Sequence, residues 1–367
     1  MDRTEAMNWV LTVCSALRLS QAKSTAAIVI AALQVGRVSL AALGRQLVGV
    51  SAQHGTKRVD RYLGNQRIEI SEAMRGVIPQ LVRRNGRKRR PLLVALDWVE
   101  VRKFHTLSAV AVIRGRAVPL LWATYPEWEL HRSQNSLEEG LIRLLKTLLL
   151  EGLTVILLAD RGFGRTELAR TCEELGYKYL IRIKPDVHIQ VGTFRGKLCN
   201  YPVKKGIRRL LKGVRYRQKN PVQLNVVVYW KKGLPERRDE CWFLMTNLDR
   251  SAPALVNLFA QRMTIEQVFR DHKNRRNGFA LRDILVKKAD RFDRLLLLLT
   301  LAYILLLGLG LHAHKEYCPS NWSTNTQANQ CSVFTIGLRM LNQIQVPIPQ
   351  LLATLIKAIY DAAPNWG

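Results

Sequence analysis

From Pro91 onward the chain alternates between runs of period two and runs of period near 3.6, so strands and helices are expected in turn. Pro91 to Val101, Thr106 to Arg114 and Ala117 to Tyr125 read as three strands, with Gly115-Arg116 as a tight turn between the last two. Ser136 to Leu150 has the spacing of an amphipathic helix, and Ser136 with Glu139 forms a capping box. Thr154 to Leu158 is a short apolar strand ending at Ala159-Asp160; Arg165 to Leu175 is a helix and Tyr177 to Ile183 a strand. Upstream, Ser24 to Leu33, Ser39 to Leu47 and Thr56 to Leu63 are short helical segments with Ser or Thr at their starts.

Three strands in a meander, then helix, strand, helix and strand, predict an α/β mixed sheet with flanking helices, in the order of a ribonuclease-H-like core. The expected organisation is a helical DNA-binding domain over 1–82, a basic linker over 83–90 and the first part of the core over 91–184. A β-rich insertion over 185–247, the second part of the core over 248–315 and a C-terminal helical region over 316–367 complete it. No internal repeat is evident.

Charge narrows the partner. Lys and Arg number 57 against 28 Asp and Glu, a formal net charge of +29, and so large a self-repulsion points to a polyanion such as nucleic acid. Three features could serve it. The third N-terminal helix carries Lys57, Arg58 and Arg61 and fits a helix-turn-helix-like reader, a plain helical bundle being the alternative. Arg83 to Arg90 holds six cations in eight residues, typical of a solvated linker that can also meet phosphates. The insertion mixes Arg208, Arg209, Lys212, Arg215 and Arg217 with Tyr216, Tyr229 and Trp230, a composition that can track a backbone and stack bases.

Leu295 to Leu311 is a run of seventeen residues without a charge, short for a membrane span, and is expected to be a buried core helix. The six cysteines include no C-x-x-C pair and read as reduced thiols, and the N-terminus lacks an export signal. A cytoplasmic protein is expected.

Two aspartates stand at strand ends. Asp97 closes Leu92-Leu-Val-Ala-Leu-Asp97 and Asp160 closes Val155-Ile-Leu-Leu-Ala-Asp160. In the expected sheet these strands are parallel neighbours, so the carboxylates sit side by side and call for a cation. A third acid, Glu266, lies in Arg262-Met-Thr-Ile-Glu266-Gln-Val-Phe-Arg-Asp-His-Lys273, where helical spacing puts Arg262, Glu266 and Lys273 on one side and Ile265 and Phe269 towards a core. Three hard oxygen donors select Mg²⁺ or Mn²⁺, and two such ions suit in-line phosphoryl transfer. The glycines of Asp160-Arg-Gly-Phe-Gly164 could instead mark a nucleotide-binding turn, but the third glycine and any Gly-Lys-Ser/Thr are missing. No Arg…His-x-x-Arg…Tyr set of a tyrosine recombinase occurs.

With these residues in view, the chain resembles DDE transposases of the insertion-sequence-four group. Arg262, Glu266 and Lys273 occupy the last three positions of that group's Tyr-x₂-Arg-x₃-Glu-x₆-Lys motif, with Phe259 in place of Tyr; Asp160-Arg161-Gly-Phe and the leucine-rich helix after Glu266 are similar too. The resemblance, over about Pro91 to Leu311, implies metal-dependent cleavage at insertion-sequence ends and 3′-hydroxyl strand transfer into double-stranded DNA. It also implies a catalytic and metal-binding triad of Asp97, Asp160 and Glu266, phosphate contacts from Arg262 and Lys273, with Arg161 and the motif position Phe259 beside them, and work by a bacterial, nucleoid-associated homodimer. A DNA-binding regulator derived from such an enzyme but lacking turnover is the alternative.

Overall fold

The computed structural model describes residues 1–35, 37–83, 90–131, 133–232, 241–276, 278–324 and 331–365. Most of the expected basic linker, 84–89, lies outside the described residues; at its far end Arg90 pairs with Asp361 at 3.0 Å.

Five helices come first: α1 (Arg3–Val13), α2 (Leu19–Gln34), α3 (Leu40–Arg45), α4 (Ala52–Gly64) and α5 (Ile70–Val82). The meander follows as β1 (Leu92–Val101), β2 (Phe104–Ile113) and β3 (Arg116–Pro126). The β2–β3 turn is Arg114-Gly115, one residue earlier than the sequence suggests, with Gly115 at φ +75°. Type I′ and II′ hairpin turns need that positive φ, and glycine adopts it without a side-chain clash.

After α6 (Glu127–Leu130) comes α7 (Gln134–Leu148), which starts at Ser133. Ser136 is thus inside the helix, and the expected capping box does not form. Glu139 reaches Arg165 instead, an ion pair that only the folded chain brings within range. β4 (Val155–Ala159), α8 (Thr166–Glu174) and β5 (Lys178–Arg182) complete the expected order. β1, β4 and β5 are parallel.

The insertion supplies β6 (His188–Val191), β7 (Phe194–Lys197), β8 (Arg208–Tyr216), β9 (Val222–Tyr229) and β10 (Trp242–Thr246). It does not stand apart from the core. β10 pairs with β5, so one ten-stranded sheet runs β3-β2-β1-β4-β5-β10-β9-β8-β6-β7. Without this pairing β5 would present an open row of amides and carbonyls at a sheet edge.

The chain then returns through α9 (Ala252–Ala260), α10 (Thr264–Lys273), α11 (Ala289–Glu316), α12 (Val333–Met340) and α13 (Ile348–Asp361). The leucine run forms most of α11, and 94% of its most apolar window is buried within the fold. α11 is covered by α2, α4, α12, α13 and β3, so it is apolar on every side because every side meets protein. Its one buried cation, Arg294, is satisfied by the Leu63 carbonyl at 2.6 Å and by Asp290, which ties α11 to the end of α4.

α11 and α12 cross at glycines. A Cβ on Gly310 would lie 1.9 Å from the Val333 carbonyl oxygen, and one on Gly337 would lie 2.1 Å from that of Leu306. In an open helix Gly→Ala gains up to about 1 kcal/mol. Here Gly310→Ala is expected to destabilise by about 1–3 kcal/mol, the cost of overpacking, and a lowered thermal midpoint would show it.

Candidate active site at the ends of the parallel strands

The parallel register decides what meets at the carboxyl ends of β1, β4 and β5. Leu96 is opposite Ala159, and Ala159 is opposite Ile181. The next residues along, Asp97, Asp160 and Arg182, therefore form a row where β4 and β5 end, while β1 runs on to Val101 alongside β2. Ligands of open α/β sheets bind at such ends.

Asp97 is largely buried. Burial raises its pKa from the ordinary 3.8 to about 6, against the pull of Arg262, and the charges of Asp160 and Glu266 push it further up. Asp160 turns its Oδ1 to the backbone N–H of Gly162 at 2.8 Å, which shapes the Arg161–Phe163 turn.

Glu266 arrives from the other side of the chain on α10, an amphipathic helix that buries Ile265 and Val268 and leaves Glu266 exposed. Phe269, expected in a core, is half-buried and lines the cleft with Asp97. Arg262 is not on that helix. It lies on a single 3₁₀ turn, Gln261–Met263, between α9 and α10. From there its guanidinium donates to Asp97 Oδ2 at 3.2 Å and stands 3.6 Å from Glu266 Oε1. The arginine expected to hold phosphate thus bridges two of the acids, as opposite charges at close range require.

A cleft of about 480 Å³ opens here, lined by Asp97, Glu266, Phe269, Arg270, Lys273 and Arg282 among others. Its floor is acidic and its rim is basic. Lys273 donates to the Glu100 carbonyl at 2.9 Å, and burial lowers its pKa, with the charge of Arg282 adding to the effect.

Two cations beside the cleft went unnoticed in the sequence. Arg182 ends β5 abreast of Asp160; burial lowers its pKa first, then the charges of Arg161 and Arg262. Its signal was available, since it closes an apolar strand just as the two aspartates do. Arg282 lies on a 3₁₀ turn, Leu281–Asp283, after α10, and nothing in its local sequence marks it.

Other expected residues lie elsewhere. Phe259 corrects the motif reading: it is 4% exposed and packs edge-on against Trp242 with ring centroids 5.3 Å apart, so it offers a phosphate neither surface nor donor. Trp242 also packs edge-on against Tyr229, with ring centroids 6.1 Å apart. Arg161 is exposed on the turn after Asp160. Lys57 and Arg61 are exposed on α4 and Arg58 is half-buried there, away from the strand ends. α3 and α4 are held close by Gly44 and Gly55, where a Cβ on either would strike the other helix's backbone.

A buried ion pair braces the site from beneath. Glu138 of α7 is 1% exposed; it accepts from Trp98 Nε1 at 2.7 Å and pairs with Arg165, which also donates to the Asn135 carbonyl at 2.9 Å. Trp98 directly follows Asp97, and Arg165 directly follows Gly164 of the Asp160 loop. One carboxylate on α7 thus anchors the chain on both sides of the aspartate pair.

The donor set suits a hard divalent cation: oxygen ligands from carboxylates at a partly open cleft. Among the described residues no group of three or more His, Cys, Asp or Glu side chains is already arranged to hold a metal. The Arg262 guanidinium stands between Asp97 and Glu266 and pairs with both.

The sheet order and the strand-end acids define an α/β fold of the ribonuclease-H-like type. The model for the transposase DDE domain matches residues 93–305, and the chain belongs to that family. Comparison with curated proteins gives no match. Family membership makes the protein a transposase acting on DNA, an enzyme of the nuclease/transferase class.

Removing Glu138 would leave the buried Arg165 only the more exposed Glu139, at 3.2 Å, as counter-charge, and Glu138→Ala is expected to cost up to about 3 kcal/mol, read as a lower urea midpoint with an unchanged slope. Asp97 gives a pH-dependent effect. A folded pKa above the unfolded value means stability that is fully present below the unfolded pKa and lost as pH rises through about 6. Without divalent ions, Asp97→Asn is therefore expected to be more stable than the parent at about pH 8 by on the order of 2 kcal/mol, and little different near pH 4. Thermal melts at the two pH values would test this.

Proposed function

We propose that the chain catalyses cut-and-paste transposition of an insertion sequence: hydrolysis at the element's ends, then attack of the freed 3′-hydroxyl on a target duplex. The observation that carries this reading is that Asp97 and Asp160 stand side by side on adjacent parallel strands, with Glu266 lining the same cleft as Asp97 from a helix that follows the insertion.

In this reading Asp97 and Asp160 hold Mg²⁺ or Mn²⁺, and Glu266 joins them once Arg262 turns aside. Bound there, divalent ions supply charge stabilisation to an in-line phosphoryl transfer and lower the pKa of the attacking hydroxyl. The chain's own residues do the rest. Arg270, Lys273 and Arg282 line the rim and hold the scissile strand by its phosphates. An incoming phosphate competes for the Arg262 guanidinium, so DNA binding and release of the acids are coupled. Arg182 places a further positive charge beside Asp160. The exposed cations Lys57 and Arg61 on α4, with Arg58, engage the duplex away from the cut, and two copies of the chain bring the two ends together.

The test is a cleavage assay on the DNA that flanks the reading frame, with binding measured separately. Asp97→Asn, Asp160→Asn and Glu266→Gln are each expected to lose cleavage by on the order of 10³-fold while keeping end binding within a few fold. A variant that still cuts removes its residue from the triad. A parent that binds the ends and never cuts them, with either ion, would make the protein a DNA-binding regulator.

A further inference from the structure

The insertion carries a second basic site, distinct from the cleft just described. β6 is the middle strand of three, and its Gln190 is directly opposite Arg195 on β7 and Arg215 on β8. Directly opposed residues in antiparallel strands point to the same face. Arg195, Gln190 and Arg215 therefore form one row, which Gln223 of β9 continues opposite Arg215. Strands are about 4.8 Å apart, so the two arginine backbones are roughly 10 Å apart, and long side chains can close that gap onto a single group.

The row borders a cleft of about 300 Å³, lined chiefly by His188, Gln190, Arg195, Arg215, Arg217 and Gln218. Among the described residues no carboxylate lines it. Among the described residues, no salt bridge is made by Arg195, Arg215 or Arg217. Arg195 and Arg215 face one another across amides, and like charges so placed favour an entering anion; Arg217 lies close enough to Glu167 to feel its charge.

Arg217 links this cleft to the acids. Its φ is +65°, the left-handed region that costs a non-glycine residue roughly 1–2 kcal/mol. Its backbone N–H holds that turn by donating to the His188 carbonyl at 3.0 Å. The turn sends the guanidinium to the Gly164 carbonyl at 3.2 Å, which Tyr216 Oη also reaches at 2.9 Å. Gly164 is four residues beyond Asp160 and adjoins Arg165 of the bracing ion pair. Strain retained at such a position is a mark of function.

We propose that the cleft between β6, β7 and β8 binds a phosphate group of a nucleic-acid strand, gripped by Arg195 and Arg215, while Arg217 braces the cleft against the loop that follows Asp160. The chemistry rests on the cleft alone; the source of the phosphate, a DNA strand lying across the insertion, rests on the transposase reading. Planar forked donors facing one another across a shallow sheet suit a tetrahedral oxyanion with several free oxygens.

The test uses the full chain and the exposed pair, which the fold does not need. Binding of a labelled DNA duplex is followed by fluorescence anisotropy over a salt series, and binding of inorganic pyrophosphate by titration calorimetry, for the parent, Arg195→Gln/Arg215→Gln and Arg195→Lys/Arg215→Lys. Loss of two phosphate contacts is expected to weaken DNA binding roughly tenfold and lower the log–log salt slope by about 2. The lysine pair should keep the slope and lose part of the affinity. If the glutamine pair loses pyrophosphate binding while DNA binding is absent or unchanged, the site stands with a free phosphate compound as its ligand, and absent DNA binding counts against the transposase reading alone. Unchanged affinity and slope for DNA, together with unchanged or absent pyrophosphate binding, overturns the proposal.

Discussion

Two carboxylates set abreast at the end of a buried parallel sheet require a cation, and the rest of the site is arranged around that requirement. The register of β1 on β4 places Asp97 beside Asp160, where burial and the neighbouring charges hold Asp97 well above the ordinary carboxylate range. Arg262 supplies positive charge from a 3₁₀ turn between two helices, pairing with Asp97 and with Glu266. Electrostatics thus ties the helix-borne acid to the strand-borne one.

The scaffold serves this arrangement by tying down the backbone on each side of it. Glu138 and Arg165, buried together under the sheet, join α7 to the residue after Asp97 and to the loop after Asp160. Such a pair adds little net stability over well-packed apolar residues, yet removing one partner is costly. Its value here is positional. α11 plays the corresponding part for α10, since Tyr303 donates to Asp271 at 2.9 Å and Asp271 pairs with Arg116 of β3 at 2.9 Å. β3, α10 and α11 are held in one network.

The insertion is less an appendage than an extension of the same sheet. Because β10 pairs with β5, the strand that ends in Arg182 has neighbours on both sides, and the insertion's own basic cleft is carried to within one hydrogen bond of the Asp160 loop. A strand of nucleic acid at one cleft would be felt at the other through backbone shared by both.

Much of this was legible in the chain itself. Period-two runs broken by turns located nearly every strand of the core, and the leucine run announced a helix apolar on all sides, because these signals arise from local backbone geometry and from burial alone. The strand-end aspartates could be paired in advance because parallel neighbours fix their relation. Only the tertiary structure decided what long side chains do. Arg262 had the spacing of a phosphate ligand but closes on Asp97, Glu139 left a capping box for Arg165, Phe259 turned into the core against Trp242, and Arg182 and Arg282 joined the site. Each outcome depends on a partner between about twenty and well over a hundred residues away. Periodicity reports which face of an element is buried, and it carries no information about which distant charge that face will meet.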